Sequence, residues 1–381
     1  MKKIRLFEAF AGIGSQRRAL KSVVGNNFEI AGLAEWYVPA IVMYQIINND
    51  FSKKNVLDNV PRDEVIDYLN SKCLSWDSKK PVSKNFWNRK SQDILNVIYS
   101  AVKKSEEEGN IFDVRTLHER TLESIDILTY SFPCQDLSQQ GIQKGMKKNS
   151  GTRSGLLWEI EKAIDNTPKN NLPKILLMEN VPALLNKTNE LELKEWLIKL
   201  ENMGYKNSIG ILNAADFGSP QARRRVFMIS SRNKKIELPV GKSKPGKLND
   251  ILEKNVEDKF IMTNLEKYDF SEFSLTKSNI KKCSLINYTK FNSEAYVYDP
   301  DFTGPTLTAS GANSRIKIYD KGFIRRMSPL ESFRYMGFDD EDYKKIDEFE
   351  FLTDTQKIFV CGNSISIEVL KAIFERIDSN E

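Results

Sequence analysis

The first forty residues constrain the fold more than any other stretch. Ile4 to Gly14 reads IRLFEAFAGIG, an apolar run that ends in small residues. Gln16 to Val24 follows with a helical pattern, and EIAGLAEW, ending at Trp36, is again strand-like and closes on an acid and an aromatic. Strand, helix and strand in so short a span require a crossover, which predicts a parallel sheet with helices on its faces. Two more apolar strands are expected at 124–132 (SIDILTYSF) and 173–181 (PKILLMENV), and a hairpin from YKNSIGILNAADFG and RRRVFMISSR. Helices are expected at 37–50, 62–70, 91–107, 156–165 and 190–203, with the polar, Lys-rich text of 51–108 inserted on the sheet.

The character changes after Arg232. Residues 232–324 hold short strand-like runs and no long periodic helix, so they read as a smaller, mostly irregular and β domain. A helical pattern returns at 325–337, where Ser328-Pro329-Leu330-Glu331 resembles a capping box, and 353–377 is helical with a break expected at Gly362. The expected organisation is one discontinuous α/β domain, 1–231 with 325–381, interrupted by 232–324.

Composition excludes several functions. No apolar run approaches the roughly 20 residues of a membrane span. Met1-Lys2-Lys3 could open a signal peptide, but Arg5 and Glu8 interrupt the apolar core a signal needs. A reducing cytoplasm is expected. The net charge of +5 allows a nucleic-acid partner without demanding one. The four cysteines, Cys73, Cys134, Cys283 and Cys361, form no CxxC pair, so neither a zinc site nor a disulfide framework is expected. The single histidine, His118, lies in a polar stretch that reads as a surface helix. Catalysis must therefore proceed largely without imidazole.

Chemistry is legible at the strand tips, where α/β sheets keep their sites. Gly12 and Gly14 of FAGIG allow a tight turn and close approach of a ligand. Glu35 is placed to accept hydrogen bonds from a ribose diol, and Trp36 to stack on adenine. With no GxxxxGK[ST] present, an adenosyl group fits better than a bare phosphate chain. In SFPCQDLS, Pro133 fixes the backbone beside Cys134, and the polar, glycine-bearing loop 135–155 begins at the next residue. A thiol at such a junction is exposed enough to react once its proton is removed. Glu179 ends the strand ILLMEN; if the two strands are neighbours, it lies close to Cys134, a nucleophile beside an acid. Arg223 and Arg225 share one strand face at period two.

FAGIG, PCQ, ENV, QxRxR and the Gly-Asn-Ser of 362–364 occur in the order and rough spacing of the cytosine-5 DNA methyltransferase family, which the chain resembles from end to end. Further runs, WYVPAIVMYQ, SFPCQDLSQQGIQKGMK, GTRSGLLWEIE and FTGPTLTASGANSRIK, are similar to those of CpG-specific members. The resemblance implies an S-adenosylmethionine-dependent, Rossmann-like mixed sheet with a target-recognition domain at 232–324. It implies Cys134, Glu179, Arg223 and Arg225 as catalytic residues: Cys134 attacks carbon 6 of cytosine, Glu179 holds ring nitrogen 3 and the amine, and the arginines contact base and backbone. It implies that Phe10, Ala11, Gly12, Ile13, Gly14, Glu35, Trp36, Asn110, Ile111, Pro133, Leu156, Asn363 and Ser364 line the S-adenosyl-L-methionine site, S-adenosyl-L-homocysteine being the product and no metal taking part. Asn110 departs from the family, which usually has an aspartate there to read adenine; an amide can still accept from the adenine amine.

Carbon 6 of cytosine is unreachable in a stacked duplex, so base flipping is implied. The loop 135–155 is the natural lid. Lys144, Lys147, Lys148 and Arg153 can meet phosphate, Gln135 and Ser138 are expected to contact DNA, and Gln139 or Gln140 can fill the vacated space. Recognition falls to TLTASGANSR, with Thr306, Thr308, Ser310 and Asn313 offering hydrogen bonds to base edges. The expected partner is double-stranded DNA, met by a monomer, with CG as target by resemblance. Two rivals follow: a tRNA-modifying member, whose CFT-containing signature is missing here, and a DNA-binding protein on a dead methyltransferase fold, against which Cys134, Glu179 and Arg225 stand intact.

Overall fold

The computed structural model describes residues 2–119, 122–133, 154–289, 292–309 and 316–379. The chain divides into two compact units: Met1–Ile211 with Arg225–Pro239 and Leu370–Glu381, and Leu212–Arg224 with Val240–Val369.

The first unit is built on a seven-stranded sheet. Its strands are β1 (Ile4–Ala9), β2 (Phe28–Ala34), β3 (Asn110–Ile111), β4 (Ile127–Tyr130), β5 (Ile175–Asn180), β6 (Lys206–Asn213) and β7 (Arg224–Ser231), in the order β3-β2-β1-β4-β5-β7-β6. The first five run parallel, as the crossover argument requires, and β7 pairs antiparallel with β5. This is the mixed α/β sheet of the Rossmann-like methyltransferase fold. Strands covered on both faces must be apolar throughout, and β4, ILTY, is buried at all four positions. Tyr130 and Trp196 anchor the core: the indole Nε1 donates to the Tyr130 hydroxyl at 3.1 Å and the rings meet edge to face.

The helices fall within a residue or two of their expected places, at Ser15–Val24, Val38–Asn49, Arg62–Asn70, Gln92–Glu107, Leu157–Asp165 and Glu190–Asn202. Helix Val38–Asn49 is buried at ten consecutive positions, Val38 to Ile47, and packs on Gln92–Glu107. The inserted region therefore covers an apolar helix and is part of the core. Among the described residues, no helix is long and apolar enough to cross a membrane.

The second unit carries a five-stranded sheet of short strands: β8 (Ser274–Leu275), β9 (Lys281–Ser284), β10 (Tyr296–Tyr298), β11 (Lys317–Asp320) and β12 (Phe323–Arg326), in the order β12-β11-β10-β9-β8. Its small core gathers Cys283, Leu285, Val297 and Ile324. The capping box is present: Ser328 Oγ accepts from the Glu331 amide and Glu331 Oε2 from the Ser328 amide. Glu331 also takes a two-point ion pair, at 2.8 Å on each side, from the fully buried Arg325, whose Nε donates to Asp320. Such pairing is what a buried guanidinium requires. One helix boundary differs from expectation. The break in the last helical region lies at 364–366, and Gly362 sits inside helix Asp354–Asn363. That glycine permits a close backbone approach and does not end the helix.

Candidate active site

β1 leaves the sheet at Ala9 into a turn with three left-handed residues in five: Phe10 at φ 60°, Gly12 at 57° and Gly14 at 80°. For the bulky Phe10 this backbone costs roughly 1 kcal/mol or more, so neighbours must hold it. They do. The Ala11 amide donates to the Ala34 carbonyl at 3.1 Å, and the Gly12 amide to Glu35 Oε2 at 2.9 Å. Gly14 opens helix Ser15–Val24, and a Cβ there would lie 2.6 Å from Asn48 Nδ2 and 2.8 Å from Tyr44. A Cβ on Gly12 would meet nothing within 4 Å, so the turn faces open space. Glu35 and Trp36 flank it, both half-buried. Such a cradle, with open room over a glycine beside a carboxylate and an indole, fits an adenosyl ligand.

Glu35 is heavily engaged. Its Oε1 accepts from the amides of Trp36 and Tyr37 at 2.9 and 2.8 Å. Burial pushes its carboxyl above the ordinary range, against the pull of these backbone donors. Asn110, buried on β3, binds the Glu35 peptide unit from both sides: Oδ1 accepts from the Glu35 amide at 2.9 Å and Nδ2 donates to the Glu35 carbonyl at 3.0 Å. The amide thus extends the β2–β3 ladder past its last backbone pair, Ala34 with Ile111.

Beneath the turn lies a polar cluster that the sequence reading did not single out. Glu8, fully buried on β1, accepts from the Arg17 amide at 3.0 Å and the Tyr44 hydroxyl at 2.7 Å. The Arg17 guanidinium reaches Glu108 at 2.6 Å, the Asn48 carbonyl at 3.0 Å and Asn49 Oδ1 at 2.8 Å. Burial pushes the Glu8 carboxyl from 4.5 up to about 7, although Tyr44 and Arg17 oppose it. The only sequence signal was an acid inside the apolar run LFEAFAGIG.

The second constellation sits at the far ends of β4 and β5, which are neighbours as the nucleophile–acid argument requires. Glu179 lies on β5 opposite Phe227 of β7. Arg225, two residues before Phe227, emerges on the same face, and its Nε is 3.2 Å from Glu179 Oε1. Ser131 Oγ donates to the other carboxylate oxygen at 2.8 Å. Asn180 Nδ2 donates to the Phe132 carbonyl at 3.0 Å, and its Oδ1 accepts from the Val181 amide at 2.8 Å. Ser131 and Asn180 were missed by the sequence reading, although both sit inside its motifs. Pro133 follows, half-buried. Cys134 lies outside the described residues, as do Gln135, Ser138, Gln139, Gln140, Lys144, Lys147, Lys148, Arg153, Ser310 and Asn313. The other three cysteines have thiols pushed up by burial, which holds them protonated. His118 lies in the turn Val114–Glu119, partly exposed, with Nδ1 3.9 Å from Glu159.

In the second unit, Arg223 is buried and donates to the carbonyls of Leu307, Gly362 and Ser364 at 2.8, 2.9 and 2.8 Å. Asn363 is exposed, while Ser364 is buried with Oγ on the Val360 carbonyl. Thr306 Oγ1 donates to the Ala222 carbonyl at 2.8 Å, and Thr308 is half-buried. In the first unit, Ile111 is buried on β3, and half-buried Leu156 ends a short turn before helix Leu157–Asp165.

Comparison with known proteins agrees with this geometry. Residues 62–379 match the model of the C-5 cytosine-specific DNA methylase family. The chain is 65% identical over 376 residues to the orphan methyltransferase M.SssI of Spiroplasma monobiae, covering 99% of this chain and 97% of that one. It is 34% identical over 381 residues to the type II methyltransferase M2.ScrFI of Lactococcus lactis subsp. cremoris, covering 98% and 99%. Among solved structures, the fold is shared with the Entamoeba histolytica methyltransferase EhMeth (TM-score 0.64, 16% identity, 100% and 99% covered) and S. pombe Dnmt2 (TM-score 0.63, 15% identity, 99% of each). The chain belongs to the C-5 cytosine-specific DNA methylase family.

Proposed function

We propose that this enzyme methylates the cytosine of CG in duplex DNA, with Cys134 as nucleophile and Glu179 as the group that grips the flipped base. The observation that carries the reading is the placement of Glu179. It stands at the tip of β5 between Ser131 and Arg225, beside the strand that leads into Cys134. A carboxyl there can meet ring nitrogen 3 and the exocyclic amine of an extruded cytosine, and Arg225 balances its charge and reaches the carbonyl of the same ring. The Cys134 thiolate then adds to carbon 6; the S–C bond forms as the ring's 5,6 double bond becomes an enamine that is nucleophilic at carbon 5. S-adenosylmethionine supplies an electrophilic methyl group to that carbon. The proton on carbon 5 leaves to a base, with water as the default, and the electrons it releases expel Cys134.

The cradle of Phe10, Gly12, Gly14, Glu35 and Trp36 would hold the cofactor, with Ile111 and Leu156 of the same unit; the resemblance gives Asn363 and Ser364 a cofactor role as well. Residues 232–324 would carry target recognition, through Thr308, Ser310 and Asn313. Lys144 and Arg153 would hold phosphate beside the flipped base. CG is favoured by the resemblance of FTGPTLTASGANSRIK, in the recognition segment, to the matching run of CpG-specific members. We take the working form to be a monomer in a bacterial cytoplasm.

Bisulfite sequencing of plasmid from cells expressing the protein tests the target: conversion blocked at CG alone is expected, and methylation absent from CG would overturn it. Cys134→Ala should abolish transfer and keep DNA binding, so transfer by that variant would refute the nucleophile. Activity confined to tRNA would favour the RNA rival.

A further inference from the structure

We infer that Arg223 is a positioning residue that fastens the Gly-Asn-Ser turn and the start of the recognition segment into one block. It thereby sets affinity for cofactor and DNA together, and does not contact the base. The inference rests on the proposed roles of Asn363–Ser364 and of the segment beginning at Thr308.

A guanidinium presents five donors in a rigid plane. Arg223 directs its two terminal nitrogens at carbonyls from two distant segments. Nη1 donates to Leu307, and Nη2 to both Gly362 and Ser364. The last two flank the exposed Asn363, so its backbone is fixed on either side. The side chain is 3% exposed, which leaves little of it to offer a base.

The recognition segment is fastened on both sides. Along one side it follows 220–223 in a short parallel bridge. The Gly304 amide donates to the Pro220 carbonyl at 2.8 Å, and the Ala222 amide to the Gly304 carbonyl at 2.9 Å. Gln221 Oε1 then accepts from the Leu307 amide at 3.0 Å. On the other side the Gly362 backbone closes in: a Cβ there would lie 2.6 Å from the Thr308 carbonyl and 2.7 Å from the Ala309 amide. Only glycine permits that approach. The two segments thus share one anchor and one contact, and a shift in either is felt by the other.

The test uses Arg223→Lys in the full-length enzyme, with Gly362→Ala as a second route into the same seam. A lysine keeps the charge but cannot span all three carbonyls. Four quantities are measured: the Kd for S-adenosylhomocysteine by calorimetry without DNA, the KM for a CG duplex, kcat at saturation, and Tm. Both variants are expected to raise the Kd and the KM roughly tenfold each, with kcat within about threefold of wild type. A kcat loss above a hundredfold with an unchanged Kd would mean that Arg223 meets the base, and would overturn the inference. A lower Tm with Kd, KM and kcat all unchanged would reduce Arg223 to a structural part and overturn it equally. Asn363→Ala separates the two readings. If it leaves the Kd unchanged, the cofactor role of this turn fails, and the DNA KM alone decides for or against Arg223.

Discussion

Asn180 holds the carbonyl of Phe132 at 3.0 Å, two residues before the proposed nucleophile. The contact crosses from β5 to the chain leaving β4, and it ties the placement of Cys134 to the strand that carries Glu179. Asn180→Asp keeps the acceptor for Val181 but loses the donor, and sets two oxygens against each other. The single-turnover methylation rate should fall about ten- to a hundredfold while duplex affinity holds. An unchanged rate would show that the 131–134 backbone is placed by other means.

Glu179 is expected to act through its charge. Glu179→Gln should cost at least about a hundredfold in kcat with little change in DNA binding, since it replaces one carboxylate oxygen with a donor and removes the negative charge facing Arg225. Ser131→Ala removes one hydrogen bond from the carboxylate and should cost only about three- to tenfold. Rapid-quench kinetics on both variants checks the order; a larger loss in the serine variant would contradict this arrangement.

Asn110 engages the Glu35 peptide through both ends of its amide. Asn110→Asp turns the donor toward the Glu35 carbonyl into a negatively charged acceptor. Affinity for S-adenosylhomocysteine, measured by calorimetry, should weaken about tenfold. Equal or tighter binding would mean that the residue meets adenine, as the family's aspartate is expected to.

The Glu8 carboxyl, raised to about 7, gives a pH signature. Between 4.5 and about 7 the folded chain holds a proton there that the unfolded chain has released. Stability from this group is therefore present at low pH and lost as pH rises through that window, by at most about 3 kcal/mol at 1.36 kcal/mol per unit. Urea unfolding of wild type and Glu8→Gln across the window should show the wild type losing ground to the variant as pH rises. A difference flat with pH would rule it out.

Much of this was legible from residues alone. The parallel crossover followed from β1, its helix and β2, because apolar periodicity changes visibly from strand to helix. Glu179 was legible because a carboxylate at the end of ILLM has no place in a core. What stayed hidden were the partners of side chains that bind backbone or another side chain on a neighbouring strand. Asn180, Ser131 and Asn110 carry ordinary polar groups, and nothing in their spacing says that the acceptor is a carbonyl or carboxylate on another strand. Arg223 shows the same limit: period two predicts it on a strand face with Arg225, whereas it precedes β7, and the Leu307, Gly362 and Ser364 carbonyls that receive it come from segments far along the chain. The burial of helix Val38–Asn49 under the inserted region was likewise invisible to a reading that took that region as an addition.

The antiparallel run of β7 against β5 has a practical consequence for engineering. Arg225 meets Glu179 through ladder register, so the length of the 181–223 connection does not set their distance. A tag or a fluorophore-bearing loop placed at the exposed stretch 185–188 should leave the pair intact. A single residue inserted between Arg225 and Phe227 would turn the guanidinium to the opposite face of the sheet and disarm the enzyme.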